Sequence, residues 1–189
     1  MVAAPLARLG QAAAFLIIFG LAALPAHAGP DTPDEATHGA AAPGGEARGP
    51  VTNLPMPRFV SMRSDVANAR RGPSFDQRVD WEFVHRGQPL EVTGEYGQWR
   101  RVRDAEGFGG WVHHTLLSGL RTALVRSAAP VPVRAGPDVA TPVRAMAEPG
   151  VIGRLETCDG GWCEIAVGGM GGWLPRDALW GVGADETIE

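Results

Sequence analysis

From residue 54 onward, apolar and polar positions alternate in short segments that glycine and proline interrupt about every 8 to 15 residues. No stretch keeps the 3.6-residue period of an amphipathic helix. Short strands at this spacing are typical of a small all-β sandwich or barrel. Six strands are predicted in the first half and six in the second: 58–62, 68–70, 80–84, 89–95, 98–103 and 110–113, then 122–126, 131–134, 143–145, 153–157, 162–167 and 172–174.

The two halves carry the same landmarks in the same order. Asn-Ala-Arg-Arg-Gly-Pro at 68–73 returns as Pro-Val-Arg-Ala-Gly-Pro at 132–137, the tryptophan three positions before an aliphatic residue returns, and Gly-Trp followed by an aliphatic residue returns. Such recurrence predicts two copies of one unit of about 60 residues, at 54–120 and 121–182. A unit of this size holds a thin core and one binding surface, so the duplication favours binding over catalysis.

The ordered set of motifs resembles the bacterial SH3-like domain, present in tandem. Its parts are Asn-Ala-Arg-x-Gly-Pro, Gly-x-x-Leu-x-Val from Gly87, Trp-x-x-Val from Trp99, and Gly-Trp-Val with Leu117. The second copy is degenerate, with Pro132 in place of the asparagine. The resemblance implies two small, five-stranded, partly open β-barrels that attach to cell-wall peptidoglycan or to peptide segments of a partner.

The N-terminal region has the pattern of an export signal. Arg8 precedes an apolar run at 12–24, and Ala-His-Ala at 26–28 matches a cleavage site. We predict a signal peptide at 1–28 and a periplasmic or extracellular mature chain without a membrane span; a retained membrane anchor is the alternative. Residues 29–53 are mostly Gly, Pro, Ala, Thr and acidic residues, which predicts a disordered tether. Residues 183–189 are predicted to be a flexible tail.

Charge and missing motifs exclude several functions. Residues 54–121 carry ten arginines against eight acidic residues, or +2, and residues 122–189 carry five against nine, or −4. Neither half has the dense basic patch that nucleic-acid binding needs. The chain contains no lysine and therefore no phosphate-binding Gly-Lys loop, and it has no Gly-x-Ser-x-Gly elbow. Its histidines show no spacing that brings three or four zinc ligands together, so no metal or cofactor is expected.

Strand alternation suggests a binding surface on the first unit. Trp99 is three positions before Val102, so the two side chains point to opposite faces, and an inward Val102 predicts a surface-exposed Trp99. The predicted site is an aromatic shelf with arginines that bind carboxylates of peptidoglycan stems or acidic peptides. Its members are Tyr96, Trp99, Trp111, Arg70, Arg101 and Arg103.

Two alternatives to this site remain open. Each unit has a pair of tryptophans, Trp99 and Trp111 in the first and Trp162 and Trp173 in the second, and one of each pair can pack into the core after a bulge while the other caps the barrel. Arg70 and its repeat counterpart Arg134 can hold local backbone carbonyls instead of a ligand.

Two further features follow from spacing. Cys158 and Cys163 flank four residues, so in an antiparallel hairpin they lie opposite each other, and export predicts that they form a disulfide. A redox or catalytic thiol is the rival interpretation, but a cysteine hydrolase needs a downstream histidine and none follows Cys158.

The join at 118–121 is short, so the two barrels are expected to pack against each other and present one composite surface.

These observations predict a non-catalytic exported binding protein, most simply one that engages peptidoglycan. A protein–peptide interaction module of an envelope complex is the alternative, and a cell-wall hydrolase is a third possibility.

Overall fold

The computed structural model describes residues 47–189, and the predicted signal peptide and residues 29–46 of the predicted tether lie outside this range. The described chain is all-β, with two single 3-10 turns at His114–Leu116 and Arg176–Ala178. The all-β prediction is therefore confirmed. Within residues 47–189 no helix is long and apolar enough to span a membrane.

Each half of the chain forms seven strands. Those of the first half are β1 Arg58–Met62, β2 Ala67–Arg70, β3 Val79–Phe83, β4 Pro89–Tyr96, β5 Trp99–Arg103, β6 Gly109–His113 and β7 Leu117–Ser118. Those of the second half are β8 Thr122–Val125, β9 Val131–Arg134, β10 Val143–Ala147, β11 Ile152–Asp159, β12 Trp162–Val167, β13 Met170–Pro175 and β14 Leu179–Trp180. All twelve predicted strands are present, and only the two-residue strands after the 3-10 turns were missed.

The two sheets have the same topology. Their strand orders are β3-β2-β6-β5-β4-β1-β7 and β10-β9-β13-β12-β11-β8-β14, antiparallel throughout. The pairing of β2 with β3 and that of β9 with β10 match residue for residue, and both skip one residue at the same place, Asp80 in the first and Arg144 in the second. Sequence repetition therefore corresponds to structural repetition, and each residue of β2 and β3 has an equivalent 64 positions later in β9 and β10.

Each sheet encloses its own apolar core. The first core contains Met62, Ala67, Ala69, Phe83, Leu90, Val92, Val102, Val112 and Leu117. The second contains Ala123, Val125, Val131, Ala147, Leu155, Cys158, Cys163, Ile165, Leu174 and Leu179. The glycine of each Gly-Trp motif is required by close packing, since a Cβ on Gly110 would lie 2.6 Å from the carbonyl oxygen of Arg70 and one on Gly172 would collide with Val133.

The predicted disulfide is confirmed. Cys158 and Cys163 are directly opposed in the β11–β12 ladder, are bonded to each other, and are completely buried. The disulfide crosslinks the β11–β12 hairpin near its turn, and this hairpin contributes residues to the second core.

Replacing both cysteines by alanine is expected to lower the free energy of unfolding of the second domain by about 2 kcal/mol, because the loop that the bond closes is small. Urea unfolding of the variant and of the wild type, each with and without reductant, measures this. Reductant should shift the wild type alone, and a variant as stable as the oxidised wild type would contradict the expectation.

The C-terminal residues do not form the flexible tail that was predicted for 183–189. Ile188 exchanges two backbone hydrogen bonds with Cys158, at 2.9 and 3.1 Å, and packs against the second core. Arg176 donates from Nη1 to the carbonyl oxygens of Gly183, Ala184 and Glu186 at 2.8 to 2.9 Å. The reason is that Cys158 on β11 offers main-chain groups to Ile188 and Arg176 binds three further carbonyl oxygens, so hydrogen bonds hold the segment in place.

Residues 47–53 were expected to belong to the tether, but they are bonded to the first domain through Glu95. Its side chain is fully buried and accepts hydrogen bonds from the Val51 amide at 3.0 Å, the Thr52 amide at 2.9 Å and the Thr52 hydroxyl at 2.7 Å. Arg58 Nη2 lies 2.7 Å and Arg100 Nε 3.5 Å from the same carboxylate. Ordered structure thus begins before Leu54, because the buried Glu95 carboxylate requires hydrogen-bond donors and the main chain of residues 51 and 52 supplies them.

The two domains contact each other, as the short join predicted. Phe59 and Trp180 meet edge to face with ring centroids 5.2 Å apart. The Thr122 hydroxyl donates to the Gly87 carbonyl oxygen at 2.7 Å. The Arg121 guanidinium lies 5.8 Å from the Phe59 ring centroid. Aromatic, polar and cation–π contacts therefore join the domains at the linker.

Candidate functional site

The outer face of the first domain holds a row of four cross-strand partners. In register they are Arg70 on β2, Trp111 on β6, Arg101 on β5 and Gly94 on β4. Trp111 is half-buried, and its ring reaches across β5, so that its Cη2 atom would lie 3.8 Å from a Cβ placed on Gly94. The missing side chain at Gly94 leaves room for the indole to lie along the sheet beside Arg101.

A second row runs beside the first. It joins Tyr96 on β4, Trp99 on β5 and His113 on β6. Alternation placed Trp99 on the face opposite Val102, and this part of the prediction holds, because Trp99 packs against Phe75 and His113 outside the core cluster. The predicted exposure of Trp99 is wrong, since only 7% of the residue is accessible.

Phe75 is the reason that Trp99 is covered. It extends from the loop between β2 and β3 onto Trp99, with ring centroids 4.9 Å apart, and stacks on His113 at 5.5 Å. Phe75 itself remains 67% exposed. Sequence reasoning missed both Phe75 and His113 as members of the face. The signal for Phe75 was a lone aromatic residue in an otherwise polar turn after Gly72-Pro73.

The alternative interpretation of Arg70 is also observed. Its Nη1 donates to the Gln77 carbonyl oxygen at 2.7 Å, and Arg134 in the second domain donates to the Thr141 carbonyl oxygen at 2.8 Å. These two bonds are equivalent in the repeat and hold the turn in place. Arg70 also lies 5.9 Å from the Phe75 ring centroid, so it orients the aromatic residue that covers Trp99.

The other predicted site residues differ in their availability. Arg103 is paired with Glu91, whose hydrogen bond raises the pKa of the Arg103 guanidinium. Arg101 is exposed and makes no salt bridge within the part of the chain that the structure describes. Tyr96 is 65% exposed at the end of its row. Arg101 and Tyr96 are thus open to a ligand, whereas Arg103 has a carboxylate partner already.

We name these residues the aromatic–arginine face. Its members are Arg70, Phe75, Tyr96, Trp99, Arg101, Trp111 and His113.

The second domain carries an altered version of this face. The row there is Arg134, Trp173, Glu164 and Thr157, so a glutamate occupies the place of Arg101 and a threonine that of Gly94. Val139 stands at the repeat position of Phe75. The tryptophan is kept, but the free cation beside it is replaced by an anion.

Among residues 47–189 no group of three or more His, Cys, Asp or Glu side chains converges to hold a metal ion. Burial lowers the pKa of His114, and the neighbouring charges of His113, Arg100 and Arg63 lower it further. Both cysteines are in the disulfide. What the face offers is a set of aromatic rings and one free guanidinium.

Comparison with known proteins identifies the family. The model of the bacterial SH3 domain matches residues 63–119 and 127–181. No curated protein sequence matches the chain. Two solved structures from Trichomonas vaginalis are similar, NlpC2 at 13% identity with a TM-score of 0.31 and NlpC1 at 12% identity with a TM-score of 0.32. The matches cover 66% and 70% of this chain and 48% of each solved chain, so this chain corresponds to about half of their length. Because the two matched segments make up more than half of the sequence, and each covers six of the seven strands of one domain, the chain belongs to the bacterial SH3 domain family, in tandem.

Proposed function

We propose that this protein is an exported, non-catalytic binding protein that engages peptidoglycan in the cell envelope through the aromatic–arginine face of its first domain. Family membership supports this function, since bacterial SH3 domains typically bind peptidoglycan. The N-terminal signal pattern supports export.

The observation that carries the proposal is the free Arg101 beside the half-buried Trp111. A guanidinium binds a carboxylate with two parallel hydrogen bonds, and the stem peptides of peptidoglycan carry carboxylates. The indole offers an apolar surface on which a sugar or an alanine methyl group packs. A ligand that bridges both would lie along the row from β6 to β4, where Gly94 leaves the sheet surface open.

Sedimentation of the purified full-length protein with isolated cell-wall sacculi tests the proposal. Trp111→Ala and Arg101→Ala are the informative variants, because neither residue belongs to the core, whereas Trp99 is buried and its loss would disturb the fold. Each is expected to weaken binding roughly tenfold, the usual effect of removing a central aromatic or arginine contact. Near-ultraviolet circular dichroism checks that the variants are folded.

The second domain provides matched controls. Trp173→Ala and Glu164→Ala change the equivalent positions and are expected to leave sacculus binding unchanged. If folded Trp111→Ala and Arg101→Ala proteins sediment as the wild type does, the face is not the binding site. If the wild type ignores sacculi but retains an acidic peptide, the protein–peptide alternative replaces peptidoglycan.

A further inference from the structure

The second domain contains an apolar cavity. It has a volume of about 450 Å³ and opens between strands β9 and β10 on one side and the β12–β13 hairpin on the other. Its floor consists of Ala147 and Ile165, which are buried residues of the second core. Val133, Ala145, Val167 and Met170 form much of the wall. The cavity therefore extends from the surface to the core.

The first domain shows how the same space is normally filled. Phe83 occupies the repeat position of Ala147, and Trp81 that of Ala145, as the matching strand registers establish. Trp81 stacks on Phe108 with ring centroids 4.4 Å apart and an interplanar angle of 8°, whereas Met170 stands where Phe108 does. Three aromatic residues that fill and cover the first domain are thus absent from the second.

Compensation in the second domain is partial. Val131 and Val133 replace Ala67 and Ala69, the cross-strand partners of Phe83 and Trp81. The two valines add fewer side-chain carbon atoms than are lost where Ala147 and Ala145 stand in place of Phe83 and Trp81. The remaining space is the cavity. Unfilled space of this kind destabilises a protein, because the side chains around it lose packing contacts.

The mouth of the cavity is also unusually apolar for a solvent-facing surface. Met170 is 73% and Met146 53% exposed, and Val167 is 39% exposed. Contiguous exposed apolar side chains of this kind mark surfaces that bind a ligand or a partner. Methionine side chains are flexible and polarisable, so they adapt to the shape of an apolar ligand.

One cation stands at the rim. Arg144 is the bulged residue of β10, and its counterpart in the first domain is Asp80, which Arg71 and Arg78 hold at 3.1 and 2.6 Å. Arg144 is exposed, donates only to the Gly171 carbonyl oxygen at 3.3 Å, and makes no salt bridge within residues 47–189. The rim charge has therefore changed sign between the domains, and the guanidinium is available to an anion.

We propose that this cavity binds a small anionic amphiphile, a medium-length aliphatic carboxylate, with the hydrocarbon chain inside and the carboxylate at Arg144. The volume falls in the range of about 300–1,000 Å³ that small-molecule sites occupy, and the walls are apolar with one polar anchor, as such sites usually are. Because the cavity extends to the buried core residues Ala147 and Ile165, it is deeper than a surface to which another protein docks. The site lies on the second domain and is independent of the peptidoglycan proposal.

Titration of the ¹⁵N-labelled full-length protein with decanoate, decanol and decyltrimethylammonium, each below its micelle concentration, tests the inference. Decanoate is expected to bind most tightly and to shift the amide signals of Ala145, Ala147 and Met170. Arg144→Gln is expected to weaken decanoate binding roughly tenfold and to leave decanol binding unchanged, since only the charged head loses its partner. Equal binding of decanoate and decyltrimethylammonium, or no saturable binding of either, overturns the proposal.

A second variant tests the location. Ala145→Trp combined with Met170→Phe restores the residues of the first domain at two exposed positions and covers the mouth of the cavity. The folded double variant is expected to lose decanoate binding and to keep the sacculus binding of the wild type. Retention of wild-type decanoate affinity by this variant would place the ligand elsewhere and refute the assignment.

Discussion

Glu95→Ala is expected to destabilise the first domain by about 3–5 kcal/mol, because removal of one partner leaves buried charge without compensation. The Glu95 side chain is fully buried, and the side chains of its partners Arg58 and Arg100 are only 16% and 10% exposed. The substitution also releases residues 51 and 52, whose amides lose their acceptor. Native-state hydrogen exchange of the β4–β5 hairpin, read by mass spectrometry, reports the free energy of opening of this domain.

Glu156→Ala is the matched control for this variant. Its side chain is 33% exposed and pairs with Arg154 at the surface of the second domain. Exposed pairs of this kind contribute about 0–1 kcal/mol, so exchange should barely change. An equally small effect of Glu95→Ala would show that the buried network does not stabilise the fold.

The pH dependence of stability tests the same Glu95 network independently. Burial alone would raise the pKa of Glu95, but hydrogen bonds from Thr52, Arg58 and Val51 outweigh it and lower the pKa from 4.5 to about 2. A carboxylate whose pKa is lower in the folded state stabilises the protein fully above its unfolded pKa and loses this contribution as the pH falls toward the folded value. The wild type should therefore lose stability between about pH 5 and pH 2, and Glu95→Ala should lose less over that interval.

Phe83→Ala is expected to lower the free energy of unfolding of the first domain by about 3–5 kcal/mol, the usual cost of removing a buried phenylalanine. Phe83 is 1% exposed at the centre of the first core. The variant installs in the first domain the residue that the second domain has naturally at Ala147. Urea unfolding and hydrogen exchange of β2 and β3 measure the loss.

Two companion variants sharpen this experiment. Val84→Ala changes the neighbouring residue, which is 53% exposed, and should shift stability by less than about 0.5 kcal/mol. Ala67→Val added to Phe83→Ala reproduces the Val131–Ala147 pair of the second domain and should recover part of the loss, since positions 67 and 83 are cross-strand partners. A Phe83→Ala protein as stable as the wild type would mean that the two cores tolerate empty space equally.

The strand positions were predictable because they depend on local information. Alternation sets which residues face the same side, and Gly72-Pro73 and Gly136-Pro137 mark where the chain turns, so each predicted strand falls within two residues of its observed ends. The disulfide was predictable for the same reason, since four intervening residues in a hairpin place the cysteines in register.

The candidate site was only partly predictable. Alternation correctly separated Trp99 from Val102, but it could not show that Phe75, 24 positions earlier in the sequence, lies over the indole. It placed Arg70, Arg101 and Arg103 on one surface without distinguishing Arg101, which is free, from Arg103, which Glu91 holds. Strand period gives the face of a residue, whereas the neighbours on that face depend on register and on loop conformation.

The sequence by itself determined the duplicated all-β architecture, the positions of the strands and the disulfide hairpin, because each follows from a pattern among neighbouring residues. Only the tertiary structure decided that Glu95 holds residues 51 and 52 and that the second domain contains a cavity. Both depend on side chains that the fold brings together from distant positions, where volume and charge must balance across strands rather than along the chain.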